Sequence, residues 1–161
     1  MRFKNWNWTL LIFLIILLDQ AVKLLVLNNV SSADSITVIP HILSFIYVKN
    51  TGAAFSIFSG KTAVLGVISI LFCAFVIVYW YVKKPQSKLL KFALSLLLAG
   101  AVGNAIDRIA RGFVVDFIET TFIKFPVFNI ADISITFGTA LLMIYLLFFD
   151  KDGNKNGENS N

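Results

Sequence analysis

Residues 62–82 read TAVLGVISILFCAFVIVYWYV and carry no charge at all. A helix crossing the hydrocarbon core of a bilayer, roughly 30 Å thick, needs about 20 mostly apolar residues. This stretch supplies them without interruption. Outward from it, residues 8–27, 89–107 and 132–149 have comparable length and apolar content, which predicts three further spans. Composition points the same way. Of 161 residues, 58% are apolar and 14% charged, against roughly 45–50% and about 25% in soluble domains. A small domain cannot keep that excess from water, so soluble globular and disordered classes are excluded. The expected fold class is an all-α membrane protein with four transmembrane helices and a small β element. Residues 1–149 are expected to form a single integral membrane domain and residues 150–161 a disordered cytoplasmic tail.

The N-terminus, with Arg2 and Lys4 ahead of an apolar run, imitates a secretion signal. No small-residue cleavage site follows, and Asp19 and Lys23 interrupt the run, so an uncleaved first span is expected. Basic residues then set the orientation. Arg2, Lys4, Lys83, Lys84, Lys88, Lys91, Lys151 and Lys155 crowd segments 1–7, 83–91 and 150–161. The longer connections 28–61 and 108–131 hold only Lys49, Lys61, Arg108, Arg111 and Lys124. By the positive-inside rule both termini are expected in the cytoplasm and both long connections outside. A net charge of +5 is accounted for by that asymmetry, and no nucleic-acid partner is implied. Cys73 stands alone, so no intramolecular disulfide can form. Ser35–Ile39 and Ile42–Tyr47 carry β-branched and aromatic residues about a Pro40–His41 corner and predict two short strands at the membrane surface. The second outer segment, rich in Val and Phe from Val114 to Phe128, is too apolar for a free loop and is expected to lie in the interface.

An ionisable residue within a span costs roughly 2.5–3.5 kcal/mol on insertion scales, so each one carries a functional hypothesis. Asp19 and Lys23 are four apart on the first span, with Gln20 between them; they suit a structural ion pair as well as a site. Gly100, Asn104, Asp107 and Arg108 share one face near the end of the third span, beside a stripe of Ser95, Ala99 and Gly103. That pattern reads either as a packing seam with snorkelling charges or as a site; Arg108 could pair with Asp107 or bind substrate carbonyls. Asp116, flanked by Val114, Val115, Phe117 and Ile118, is badly solvated as an anion, which should raise its pKa. Asn129 is a good N-cap for the fourth helix, and Asp132 then falls at N3, where the helix dipole favours the anion. Two carboxylates with opposite biases suit acid/base hydrolysis of an amide. The plainer alternative is a cap and an exposed interfacial acid. His41 is the only histidine, and no metal-ligand cluster, nucleophile elbow or phosphate-binding loop is present in the sequence. A small transporter or channel subunit, with Asp19, Lys23 and Asp107 as a relay, is the alternative function. It predicts polar groups spread through the membrane depth, whereas those of the third and fourth spans gather at their outer ends.

From about Asp19 to Phe149 the chain resembles the lipoprotein signal peptidase family, also called signal peptidase II, of bacterial membranes. The resemblance rests on Asp19-Gln20 with Lys23, Asn50-Thr51-Gly52-Ala53-Ala54-Phe55, Gly103-Asn104-Ala105-Ile106-Asp107-Arg108, Val114-Val115-Asp116-Phe117 and Phe128-Asn129-Ile130-Ala131-Asp132. It implies a four-helix aspartyl protease of the cytoplasmic (inner) membrane, with an extracytoplasmic β-rich cradle and a short outer helix included in Asn50–Phe58. Such enzymes remove the signal peptide of prolipoproteins just before a diacylglyceryl-modified cysteine. The resemblance makes Asp116 and Asp132 the catalytic pair, at the extracytoplasmic face. It makes Asn50, Gly52, Asn104, Asp107, Arg108, Asn129 and Ala131 substrate-binding or supporting residues, and Asp19 and Lys23 structural polar residues. It implies lipid-modified prolipoproteins and membrane lipid as partners and no metal or organic cofactor. A monomer is expected. The Gly-x-Gly-Asp signature of presenilin-type proteases is absent.

Overall fold

A computed structural model describes residues 6–31, 34–52, 58 and 60–149. In chain order the elements are α1 (Trp6–Asn29), β1 (Ser35–Ile39), β2 (Leu43–Asn50), α2 (Thr62–Lys83), α3 (Lys88–Ala110), β3 (Val114–Thr120) and α4 (Ile130–Phe148). All four helices are long and apolar enough to cross a bilayer, with mean hydropathy between 1.8 and 2.6. Each expected span lies within three residues of an observed helix at both ends. The connection from α2 to α3 is as tight as its sequence predicts. Lys84 turns the chain in the left-handed region (φ 45°), and the Ser87 side chain accepts from the Leu90 N–H at 3.3 Å to start α3.

α3 is the central helix. It buries thirteen residues, while α2 and α4 bury three each. Small side chains make this possible. A Cβ on Gly100 would overlap the Ala131 carbonyl oxygen, and one on Gly103 would stand 2.8 Å from Asp19 Oδ2. The face read as a possible packing seam is therefore one, and it draws α1 and α4 against α3. The opposite surfaces of α1, α2 and α4 carry exposed Phe13, Leu71, Phe75 and Leu147, as a helix facing lipid must.

The strands form one antiparallel sheet in the order β1-β2-β3. Two features differ from the sequence expectation. β2 runs on to Asn50 rather than ending at Tyr47, and the second long connection supplies a third strand. β3 lacks the polar–apolar alternation that marks a half-exposed strand because both of its faces are covered. Val115 and Phe117 pack on Val26 and Val30 from the end of α1, while Val114 and Asp116 face a cavity. The far edge of β3 is closed by Phe128, whose N–H donates to the Ile118 carbonyl at 3.1 Å and whose carbonyl accepts from the Ile118 N–H at 2.8 Å. The short helix expected within Asn50–Phe58 and the tail at 150–161 lie largely or wholly outside the described residues.

Candidate functional site

Four elements bring the polar residues to one cavity of about 800 Å³. β2 ends at Asn50 and turns at Gly52; β3 contributes Asp116; α3 contributes Asn104 and Arg108; α4 contributes Asp132 from its first turn. The start of α4 follows from its sequence. The Asn129 side chain accepts from the Asp132 N–H at 2.9 Å, and the Asp132 carboxylate accepts from the Asn129 N–H at 3.3 Å, completing a capping box.

The same Asn129 serves the neighbouring acid. Its Nδ2 donates to Asp116 Oδ1 at 2.7 Å and to Asn104 Oδ1 at 3.2 Å, and Asn104 Nδ2 donates to Asp132 Oδ1 at 2.7 Å. Two carboxamides thus link the two carboxyls in a line, Asp116–Asn129–Asn104–Asp132. Asn50 Nδ2 donates to the other oxygen of Asp116 at 2.8 Å, and Asn50 Oδ1 accepts from the Gly52 N–H at 2.9 Å. Among the described residues neither acid has an ion-pair partner. Asp116 is 2% exposed, so it is not the exposed interfacial acid of the plainer reading. Burial, then the nearby charge of Asp132, push its carboxyl up to about 6, against the pull of the Asn50 and Asn129 hydrogen bonds. Arg108 donates from Nη2 to the Gly52 carbonyl at 3.3 Å, while its buried Nε has no hydrogen-bond partner among the described residues.

Asp19, Lys23 and Asp107 form a separate, inner cluster. All three are essentially unexposed, and Lys23 Nζ lies 2.8 Å from Asp19 and 2.9 Å from Asp107. Asp107 therefore does not snorkel. Nor does it pair with Arg108; its second cation is Arg111, which also donates to Gln20 Oε1 at 3.1 Å. Adjacent helix residues point apart, whereas Asp107 and Arg111, four apart, meet. Arg111 is the residue the sequence reading missed, although that spacing was visible. Ala131 contributes through its backbone, its N–H donating to Asp19 Oδ1 at 3.0 Å. Among the described residues no three His, Cys, Asp or Glu side chains gather as metal ligands would.

Four apolar helices around a buried polar interior, with two acids at one cavity, define a multi-pass membrane protein. Comparison with known proteins is specific. The family described as Signal peptidase (SPase) II matches residues 11–148. The lipoprotein signal peptidase of Lactobacillus gasseri is 39% identical over 150 residues, covering 93% of this chain and 97% of its own, and that of Staphylococcus aureus (strain Newman) is 43% identical over 83% of each. A solved bacterial membrane enzyme superposes with a TM-score of 0.86 at 36% identity, covering 99% of this chain and 95% of that one. The chain belongs to the signal peptidase II family. It is a membrane protease, and nothing supports the transporter alternative, whose supposed relay is a closed ion cluster.

Proposed function

We propose that this protein is an aspartyl endopeptidase that removes the signal peptide from prolipoproteins, cutting just before a diacylglyceryl-modified cysteine, with Asp116 and Asp132 as its catalytic pair. The observation that carries the reading is the line Asp116–Asn129–Asn104–Asp132 along one cavity, with no cation among the described residues paired to either acid. Carboxamides orient the carboxyls, while burial of Asp116 and the nearby charge of Asp132 oppose ionising both, so the pair can hold a single proton. Two acids so close titrate together. The ionised member activates water; the protonated one polarises the scissile carbonyl and then passes its proton to the leaving amine. Arg108, whose Nε–H has no partner among the described residues, holds a substrate carbonyl, and Asn50 and Gly52 hold the strand end against it.

Residues 1–149 act as one peptidase domain and as a monomer, with both termini in the cytoplasm and the cavity at the extracytoplasmic face, as the distribution of Lys and Arg supports. There the substrate helix ends and water is available. The acyl chains of the substrate gain little by leaving lipid for protein. Their role is to set the cysteine beside the two acids, an orientational effect. Saturating rates for modified and unmodified precursor in the same proteoliposomes, read by gel shift, test this. The unmodified precursor should be cut far more slowly; equal rates would mean that the site reads peptide alone.

A further inference from the structure

The residue before each acid of the pair is tied by its backbone to the inner cluster. Val115 precedes Asp116, and its N–H donates to Asp107 Oδ2 at 3.1 Å. Ala131 precedes Asp132, and its N–H donates to Asp19 Oδ1 at 3.0 Å. Asp107 and Asp19 are in turn joined by one ammonium, Lys23 Nζ, at 2.9 and 2.8 Å. The third donor of that ammonium goes to Asn104 Oδ1 at 3.2 Å. This contact turns the Asn104 amide so that its nitrogen faces Asp132, where it donates at 2.7 Å. Lys23 is wholly buried on α1 and has all three of its N–H groups used. Through one atom, α1 is therefore linked to α3, to β3 and to the first turn of α4.

We infer that Lys23 is a positioning residue for the Asp116/Asp132 pair, its ammonium setting the separation and relative orientation of two carboxyls that it does not touch. The inference rests on the assignment of those two acids as the catalytic pair. Each acid sits near the start of a separate element, β3 and α4, and the carboxamide line that joins them runs through Asn104, whose amide is oriented by Lys23. Both must reach the same water and the same carbonyl, and a displacement of about 1 Å can lower turnover roughly 100-fold. Among the described residues Lys23 makes no hydrogen bond or ion pair with the Arg108–Gly52 side of the cavity, where the substrate carbonyl is held; the cavity residue it does touch is Asn104. Loss of Lys23 should therefore appear in kcat and spare KM.

The test uses full-length protein in proteoliposomes with a diacylglyceryl-modified precursor. Lys23→Met should lower kcat about 100-fold and leave KM within about threefold. Because that variant leaves a buried surplus of negative charge, Lys23→Met/Asp19→Asn is assayed beside it. The double variant keeps the cluster neutral and leaves an amide oxygen to accept the Ala131 N–H, yet lacks the bridge. It should unfold near the wild-type temperature and show the same loss of kcat. Wild-type kcat in the folded double variant would overturn the inference, as would a raised KM at unchanged kcat, which would make Lys23 a support of binding. Asp116→Asn and Asp132→Asn are run in parallel. If those are inactive while the double variant is fast, the positioning role alone fails. If they are active, the catalytic pair fails, and its positioning with it.

Discussion

Two groups of buried carboxylates lie on either side of Asn104, and they are held in opposite ways. Asp19 and Asp107 meet Lys23 and Arg111, so the inner cluster is balanced in charge, and its oxygens are filled by cations, Gln20 and backbone N–H groups. Among the described residues, the hydrogen-bond partners of Asp116 and Asp132 are Asn50, Asn104 and Asn129, the last also capping α4, at a cavity. Asp19 and Asp107 are tied to cations that also join α1 to α3. Asp116 is held by neutral carboxamides, and burial raises its carboxyl to about 6, which brings both of its protonation states within reach. The same residue type thus serves as anchor in one place and as reactive group in the other, and its donors decide which.

The sharpest way to break this comparison is to neutralise one acid of each group. Asp116→Asn or Asp132→Asn should cut turnover by about a thousandfold or more, since acid/base participation alone contributes roughly 10²–10⁴, and should leave expression, insertion and unfolding temperature close to wild type. A variant keeping more than a few per cent of wild-type turnover would remove the aspartyl mechanism. Asp107→Ala should do the reverse in kind. It takes from Lys23 one of its two carboxylates and from Arg111 its ion-pair partner, and it leaves the Val115 N–H without its acceptor; removing one partner of a buried ion pair costs about 3–5 kcal/mol. The loss should appear first as a lower midpoint in detergent melts, and an unchanged midpoint would deny the anchor role.

Arg108 belongs to neither group, because its guanidinium spans the cavity wall rather than pairing with Asp107. Arg108→Lys keeps the charge but loses the planar fork, and turnover should fall about tenfold with little change in stability. Parity with wild type in both would show that only the charge counts. The smallest effect concerns pH. Asp116 is raised to about 6, so activity should decline as pH rises past the point where the pair loses its shared proton. The Asn50 hydrogen bond favours the carboxylate and lowers that point. Asn50→Ala should therefore move the alkaline limb of the kcat profile upward, by about one pH unit for a hydrogen bond to a charged group. A downward shift would mean that Asn50 stabilises the protonated acid instead.

Much of this was legible before any coordinates. Four spans, the Asn129/Asp132 capping box and the Asp19–Lys23 pair all rest on local spacing, which a sequence displays directly. β3 was hidden because covering both faces of a strand removes the alternation by which strands are recognised. Of the two roles open to Arg108, pairing with Asp107 fails because Arg108 is adjacent in sequence while Arg111 is adjacent on the helix. What no spacing rule could supply was the joining of Val115 and Ala131 to one lysine, since that depends on how α1, β3 and α4 meet around α3.

One consequence of β3 is a matter of parity. Val114 and Asp116 look into the cavity while Val115 and Phe117 look toward α1, and the strand is held in step by Val48 opposite Asp116 and Asn50 opposite Val114. Sliding the strand by a single residue would exchange odd for even. The acid would be pressed against Val26 and Val30, and a valine would stand where water is to be activated. Chemistry here is therefore encoded as counting. Insertion or deletion of one residue within segment 114–117 would turn the acid away from the cavity unless a bulge absorbed it, as the irregularity between Phe45 and Val48 does on the facing strand.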